Sequence, residues 1–130
     1  MIVVDSSAFV DLAFGRDQLG AWVAAQLRAT ESLAAPYVVD IEVMGACRSL
    51  AHRKVVSDEV AHAAVEAFGR LRLERYPHMT LRERIWELRN SVSAPDAAYV
   101  ALAEALDVAL VTTDRRLARA HGFACEIRSP

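Results

Sequence analysis

The sequence predicts an α/β protein: a three-layer α/β/α arrangement in which a short, mostly parallel central sheet of about five strands is flanked by helices. Three observations carry this expectation. Met1–Val4 and Val108–Val111 are short apolar runs without polar alternation, as strands buried on both faces require. Helical apolar spacing recurs between such runs, the alternation that builds parallel sheets. Every residue from Ala97 to Ala103 is apolar, so this helix is covered on nearly all sides.

The elements follow in order. Met1–Val4 is a strand ending at Asp5-Ser6-Ser7, and Ala8–Leu12 continues as a helix stopping near Gly15. Arg16–Thr30 carries Leu19, Trp22, Val23 and Leu27 at helical spacing and leads to a short strand, Ser32–Ala35. Pro36 breaks the chain, and Asp40 or a neighbour caps a helix reaching about Arg53, with Glu42 in its first turn. Ser57-Asp58-Glu59 starts a helix with Val60, Ala64, Val65, Phe68 and Leu71 apolar, and Leu73–Tyr76 is the third strand. Thr80–Asn90 is a helix with Ile85, Trp86 and Leu88 inward and Arg82, Arg84 and Arg89 outward. Ser93–Leu106 and Val108–Thr112 form a helix and a strand; Arg115–His121 is a last helix ended by Gly122, and Phe123–Ile127 a final strand.

The 130 residues suit one domain, expected to span 1–130. A chain of this size buries roughly two thirds of its unfolded surface, so neither disulfide nor structural metal is needed for folding. With 54% hydrophobic and 25% charged residues it is globular, without low-complexity segment, repeat or linker. The net charge of −2 excludes a general basic coat for nucleic acid, so any such contact must be local. Cys47, Cys125 and the four histidines show no metal-ligand spacing, and two free thiols suit a reducing compartment. No basic leader or apolar run near the ~18 residues of a membrane span is seen, which predicts a soluble, cytoplasmic protein without membrane association.

Four carboxylates fall at one edge of this scheme. Asp5 ends the first strand, Glu42 begins the helix after the second, Asp96 begins the helix before the fourth, and Asp114 follows that strand. Helices packed on a parallel sheet run antiparallel to it, so all four face the rim where open α/β sheets bind ligands. Each has a plainer reading as a helix cap: Ser93 with Asp96 is a capping box, Asp114 suits the last helix, and Asp5 suits Ser6 or Ala8. Jointly caps explain less, because Glu42 is flanked by Ile41, Val43 and Met44 and no Lys or His sits at these junctions. Clustered carboxylates repel and raise one another's pKa. A divalent cation resolves the conflict, and oxygen-only ligands select Mg²⁺, with Mn²⁺ able to substitute. Such a site supports in-line attack of water on a phosphodiester. Ser7, Thr112 and Thr113 would donate hydrogen bonds there.

Asp5-x-Ser7 after an N-terminal strand, Glu42 on a helix, Pro95-Asp96-Ala-Ala-Tyr-Val-Ala-Leu-Ala and Leu110-Val-Thr-Thr-Asp114 resemble the PIN domain. More narrowly, the chain resembles VapC-type toxins of bacterial toxin-antitoxin pairs. The resemblance implies a Mg²⁺- or Mn²⁺-dependent endoribonuclease cutting structured RNA such as tRNA or rRNA. It also implies a homodimer, and inhibition by a small VapB-like antitoxin whose C-terminal segment lies over the acidic groove. Asp5, Glu42, Asp96 and Asp114 then take the four catalytic acidic places and Thr112 the threonine before the last. Asp5, Asp96 and Asp114 would hold metal, Asp114 directly or through water and Glu42 through water. Arg89, Arg115 and Arg116 are candidates for positioning RNA, with a competing reading as solvated helix charges.

Two rivals remain. A phospho-acceptor or aspartyl-phosphate phosphatase would want a late-strand Lys or a D-x-D-x-T motif, and this chain has Asp5-Ser6-Ser7 and only Lys54. A module on the same fold that binds RNA or protein without cutting would not need all four acids.

Overall fold

The computed structural model describes residues 1–15 and 18–130; Arg16 and Asp17, at the start of the second expected helix, lie outside them. Strands β1 (Ile2–Val4), β2 (Leu33–Pro36), β3 (Leu73–Tyr76), β4 (Leu110–Val111) and β5 (Ile127–Arg128) form one wholly parallel sheet in the order β3-β2-β1-β4-β5. Helices α1 (Ser6–Phe14), α2 (Gln18–Arg28), α3 (Val38–His52), α4 (Asp58–Gly69), α5 (Arg82–Glu87), α6 (Ala94–Leu106) and α7 (Arg115–Arg119) flank it, with 3₁₀ turns Met79–Leu81 and Leu88–Asn90 on either side of α5. Right-handed crossovers put α1 to α4 on one face and α5 to α7 on the other. The packing agrees: α1 meets α2 and α3, α3 meets α4, and α5 meets α6.

The strand order places the site. The chain steps outward from β1 to β2 and β3, then returns to lay β4 on the other side of β1. The order reverses between β1 and β4, and a crevice opens beyond the carboxyl ends of those two strands. Asp5 follows one and Thr112 the other. Val3 pairs with Ala34 on one side and Leu110 on the other, and all three are fully buried.

Helix α6 lies along β1, β2 and β4. Ser93 caps it, accepting the Asp96 N–H at 3.3 Å, and Pro95 sits in its first turn, where its missing N–H costs nothing. Ala97 to Ala103 are all buried, as the apolar run predicts, and the many alanines let the helix approach the sheet closely. Burial of Val100 and Leu102 contributes about 1.5–3 kcal/mol each. The helix ends where Asp107 turns left-handed, at φ 53°.

Several boundaries differ from expectation. Pro36 does not break the chain but ends β2, opposite Tyr76. The Tyr37 N–H points to β3, bonding the Tyr76 carbonyl at 3.0 Å, so the Pro36 nitrogen faces the other way, past the end of the β1 pairing. Helix α3 starts at Val38, which puts Asp40 in the first turn and Glu42 just beyond it. Asp40 caps nothing; it receives the Arg75 guanidinium in a fork at 2.7 and 2.8 Å. The expected helix Thr80–Asn90 is broken into a short α5 and two 3₁₀ turns, so helical phase is not sustained. Trp86 accordingly points outward, 68% exposed, while Arg84 turns in to fork Glu104 at 2.7 and 3.0 Å. β4 and α7 are shorter than predicted, and β5 is displaced: of the expected strand Phe123–Ile127 only Ile127 pairs, together with Arg128.

Candidate metal centre at the switch point

Asp5 is the buried heart of the rim, 3% exposed. It occupies the N-cap position of α1, yet its carboxylate makes no cap bond; that duty passes to its backbone carbonyl, which accepts the Ala8 N–H at 3.1 Å. Its Oδ2 instead receives the Ser7 hydroxyl at 2.6 Å and the Thr112 hydroxyl at 2.7 Å, and Oδ1 only the longer Ser6 contact at 3.3 Å. Burial pushes the Asp5 carboxyl above its ordinary value, the Ser7 and Thr112 bonds pull it back, and the charge of Asp96 raises it again. Hydroxyls do not neutralise a buried carboxylate.

The threonines tie β4 to this group. Thr112, fully buried, donates to Asp5 and accepts the Asp114 N–H at 3.0 Å. The Thr113 N–H donates to Ser7 Oγ at 3.2 Å, while the buried Thr113 hydroxyl has no partner among the described residues. Ser7 and Thr112 are thus both bonded to Asp5, while Thr113 joins this network through its backbone N–H.

Glu42 reaches the same group from α3. Its Oε2 accepts the Tyr99 hydroxyl at 2.6 Å, and its carboxyl is raised by burial, lowered by that bond, and raised by the charges of Asp5 and Asp96. Of the three apolar neighbours expected around it, Val43 is buried in the core, but Ile41 is 67% exposed and Met44 is also outside. What partners Glu42 is Tyr99, whose own hydroxyl is pushed well above its usual range by burial and by Glu42. Sequence reasoning missed Tyr99. The available signal was that it carries the lone polar side-chain atom in the run Ala97–Ala103, and a buried phenol needs a partner.

Asp96 stands in the first turn of α6, its Oδ2 accepting the Ser93 hydroxyl at 2.7 Å, so the capping box forms and its charge still reaches Asp5 and Glu42. Asp114 differs. Its carboxylate caps α7 through the Arg116 N–H at 2.7 Å and meets the Arg116 guanidinium at 3.3 Å. Burial pushes it up, but these Arg116 contacts outweigh burial and hold it below the ordinary range. Of the expected mutual rise, Asp5 and Glu42 show it, whereas at Asp114 a neighbouring arginine outweighs it. Among the described residues no three acids, histidines or cysteines are drawn close enough to ligate one ion.

A cleft of about 490 Å³ opens beside Asp96, lined in part by Arg89, Asn90, Ser91, Ser93 and Arg116. Two of the three arginines expected to position RNA are thus in one place, whereas exposed Arg115 does not line it.

By its chemistry, though not by its present spacing, the donor set fits a hard divalent cation. Asp5, Glu42 and Asp96 offer oxygen alone, the charge of Asp96 reaches the other two, and all three lack a cationic side-chain partner among the described residues. The orphaned Thr113 hydroxyl at the same rim is a further oxygen awaiting a partner.

A parallel five-stranded sheet with acidic groups around its switch point is the arrangement of a PIN domain, and the PIN domain family model matches residues 2–122. The chain belongs to this family, among its VapC ribonucleases: it is 44% identical to Ribonuclease VapC9 of Mycobacterium tuberculosis over 98% of this chain and 96% of that protein. It is 42% identical to Ribonuclease VapC12 of the same organism, over 98% of this chain and 97% of the other. Solved structures share the fold: the sarcin-ricin loop cleaving toxin VapC20 of M. tuberculosis has a TM-score of 0.71 at 18% identity, covering 95% of this chain and 97% of that one. VapBC2 from Rickettsia felis, solved with a promoter DNA fragment, has a TM-score of 0.70 at 16% identity, covering 100% and 99%.

Proposed function

We propose that the chain, acting as one PIN domain over residues 1–130, is a Mg²⁺-dependent endoribonuclease, with Mn²⁺ able to substitute. The observation that carries the reading is the set of three uncompensated carboxylates, Asp5, Glu42 and Asp96, at the switch point of the sheet. Relatives named as ribonucleases at 42–44% identity support it. Asp5 and Asp96 would hold the ion, Glu42 through water and Asp114 through water while Arg116 keeps its carboxylate. The ion supplies Lewis acidity and lowers the pKa of bound water, chemistry suited to hydrolysing a phosphodiester.

The chain's own residues supply the frame. Ser7 and Thr112 fix Oδ2 of Asp5, leaving Oδ1 the freer oxygen. Tyr99 orients Glu42, which would accept a proton from the attacking water. Arg89 and Arg116 would hold phosphates in the cleft beside Asp96.

The biological role that follows is that of a toxin cutting structured RNA such as tRNA or rRNA, silenced by a VapB-like antitoxin and working as a homodimer in the cytoplasm. The VapBC structure from R. felis and a toxin-antitoxin complex from Klebsiella pneumoniae, at TM-scores of 0.70 and 0.62, share the fold that this role assumes. No helix among the described residues is long and apolar enough to cross a membrane. The test is incubation of partner-free protein with total cellular RNA in Mg²⁺ or Mn²⁺. Discrete cuts that chelator abolishes are expected; intact RNA with folded protein would leave a module that binds without cutting.

A further inference from the structure

Trp86 is the most exposed large hydrophobic residue of the described chain, at 68%, and its ring is in contact with Arg89, which lines the cleft that contains Asp96. The Arg89 guanidinium lies over its ring at 4.9 Å from the centroid and donates to the Trp86 carbonyl at 2.9 Å. Arg89 thereby joins the ring to the cleft, which it lines together with Asn90, Ser91, Ser93 and Arg116. Unlike Arg75, Arg84 and Arg116, it has no carboxylate partner among the described residues, so its charge is available to a ligand.

We propose that Trp86 and Arg89 form a stacking step for an unpaired nucleobase, delivering the adjoining phosphate to Arg89 and Arg116 in the cleft beside Asp96. This rests on the ribonuclease reading above and adds to it the residues that choose single-stranded over paired RNA. A base offers its face to a side chain only when it has left its own stack, and an aromatic ring paired with a guanidinium is the surface that accepts it.

The setting favours RNA over a protein partner. The residues three and four positions either side of Trp86 are Arg82, Glu83, Arg89 and Asn90, all exposed. A lone ring among charged groups is not the core of an apolar interface, which would want apolar neighbours. It does suit a flat, polar-edged base. The cleft volume of about 490 Å³ lies in the range that accommodates small-molecule ligands, enough for a nucleotide.

The test uses the full chain in an Asp96→Asn background, so that RNA is not cut, with Mg²⁺ present. Fluorescence anisotropy reads binding of a short labelled oligoribonucleotide, single-stranded and as a duplex. Trp86→Ala is expected to weaken the single strand about tenfold, Trp86→Phe to restore most of it, and the duplex to bind weakly to all three. In the cutting chain, Trp86→Ala should raise KM by a similar factor with kcat little changed. Unchanged single-strand affinity in Trp86→Ala overturns the inference, as does equal duplex binding. A change in sedimentation on Trp86→Ala with RNA affinity intact overturns it in favour of a protein interface. If the background protein binds no RNA the stacking step falls, and cleavage of total RNA by the wild-type chain decides separately whether the ribonuclease reading falls with it.

Discussion

Thr112→Val removes one oxygen from the centre of the site and leaves its shape. Thr112 has no exposure, and valine fills the same volume, so packing is retained while the two short hydrogen bonds of its hydroxyl, and a longer one with Ser7, are lost. The bond to the ionised Asp5 carboxylate, at 2.7 Å, is worth about 1.5–3 kcal/mol. The Asp114 N–H that Thr112 accepts at 3.0 Å is stranded at a cost of about 1 kcal/mol, the low end, because Asp114 is near the surface. The sum is a loss of about 2.5–4 kcal/mol at neutral pH. The Thr112 bond lowers the Asp5 pKa, so its removal raises that pKa further above 3.8. Once Asp5 is protonated the donor matters less, and the difference between the two proteins must shrink as pH falls through the folded value. Urea denaturation of both proteins in chelator, at neutral pH and toward acid, measures this. A loss below about 0.5 kcal/mol, or one independent of pH, would refute the reasoning that Thr112 stabilises an ionised Asp5.

Glu42→Gln should make the metal-free protein at least as stable at neutral pH. The folded pKa of Glu42 lies above 4.5, so ionisation opposes folding as pH rises through that window, and a Tm-against-pH series should be flatter for the glutamine variant. Mg²⁺ or Mn²⁺ should raise Tm in wild type, by a free energy of about 2.7 kcal/mol at a hundredfold excess over Kd, and much less in Asp5→Asn; equal shifts would place the ion elsewhere. Gly20→Ala should cost about 1–3 kcal/mol in the urea midpoint, because a Cβ there would stand 2.9 Å from the Asp11 carbonyl oxygen and 3.0 Å from that of Gly15.

The sequence made the rim legible because its residues sit at junctions. Asp5 ends an apolar strand, Asp96 opens an apolar helix, and parallel α/β geometry carries both to one edge whatever the exact boundaries. The strand Leu73–Tyr76 was readable to the residue. What failed was orientation. The phase that turns Trp86 inward is interrupted by two 3₁₀ turns, and Asp40 reads as a candidate cap because its partner Arg75 lies far along the chain, on β3. Periodicity carries no information about such long-range partners. The same blindness hid Tyr99, apolar by company and polar by one atom, and hid Arg116 as the group that compensates Asp114.

The central claim is that Asp96 serves chemistry as well as capping. Asparagine keeps an oxygen that can accept from Ser93, so Asp96→Asn should change stability by less than about 1 kcal/mol. Single-turnover cleavage of an RNA that the wild-type chain cuts in Mg²⁺ separates the two roles. The account predicts that Asp96→Asn, folded and equally stable, leaves that RNA intact on the timescale of wild-type cutting. Cleavage at the wild-type rate would contradict it and reduce Asp96 to a helix cap.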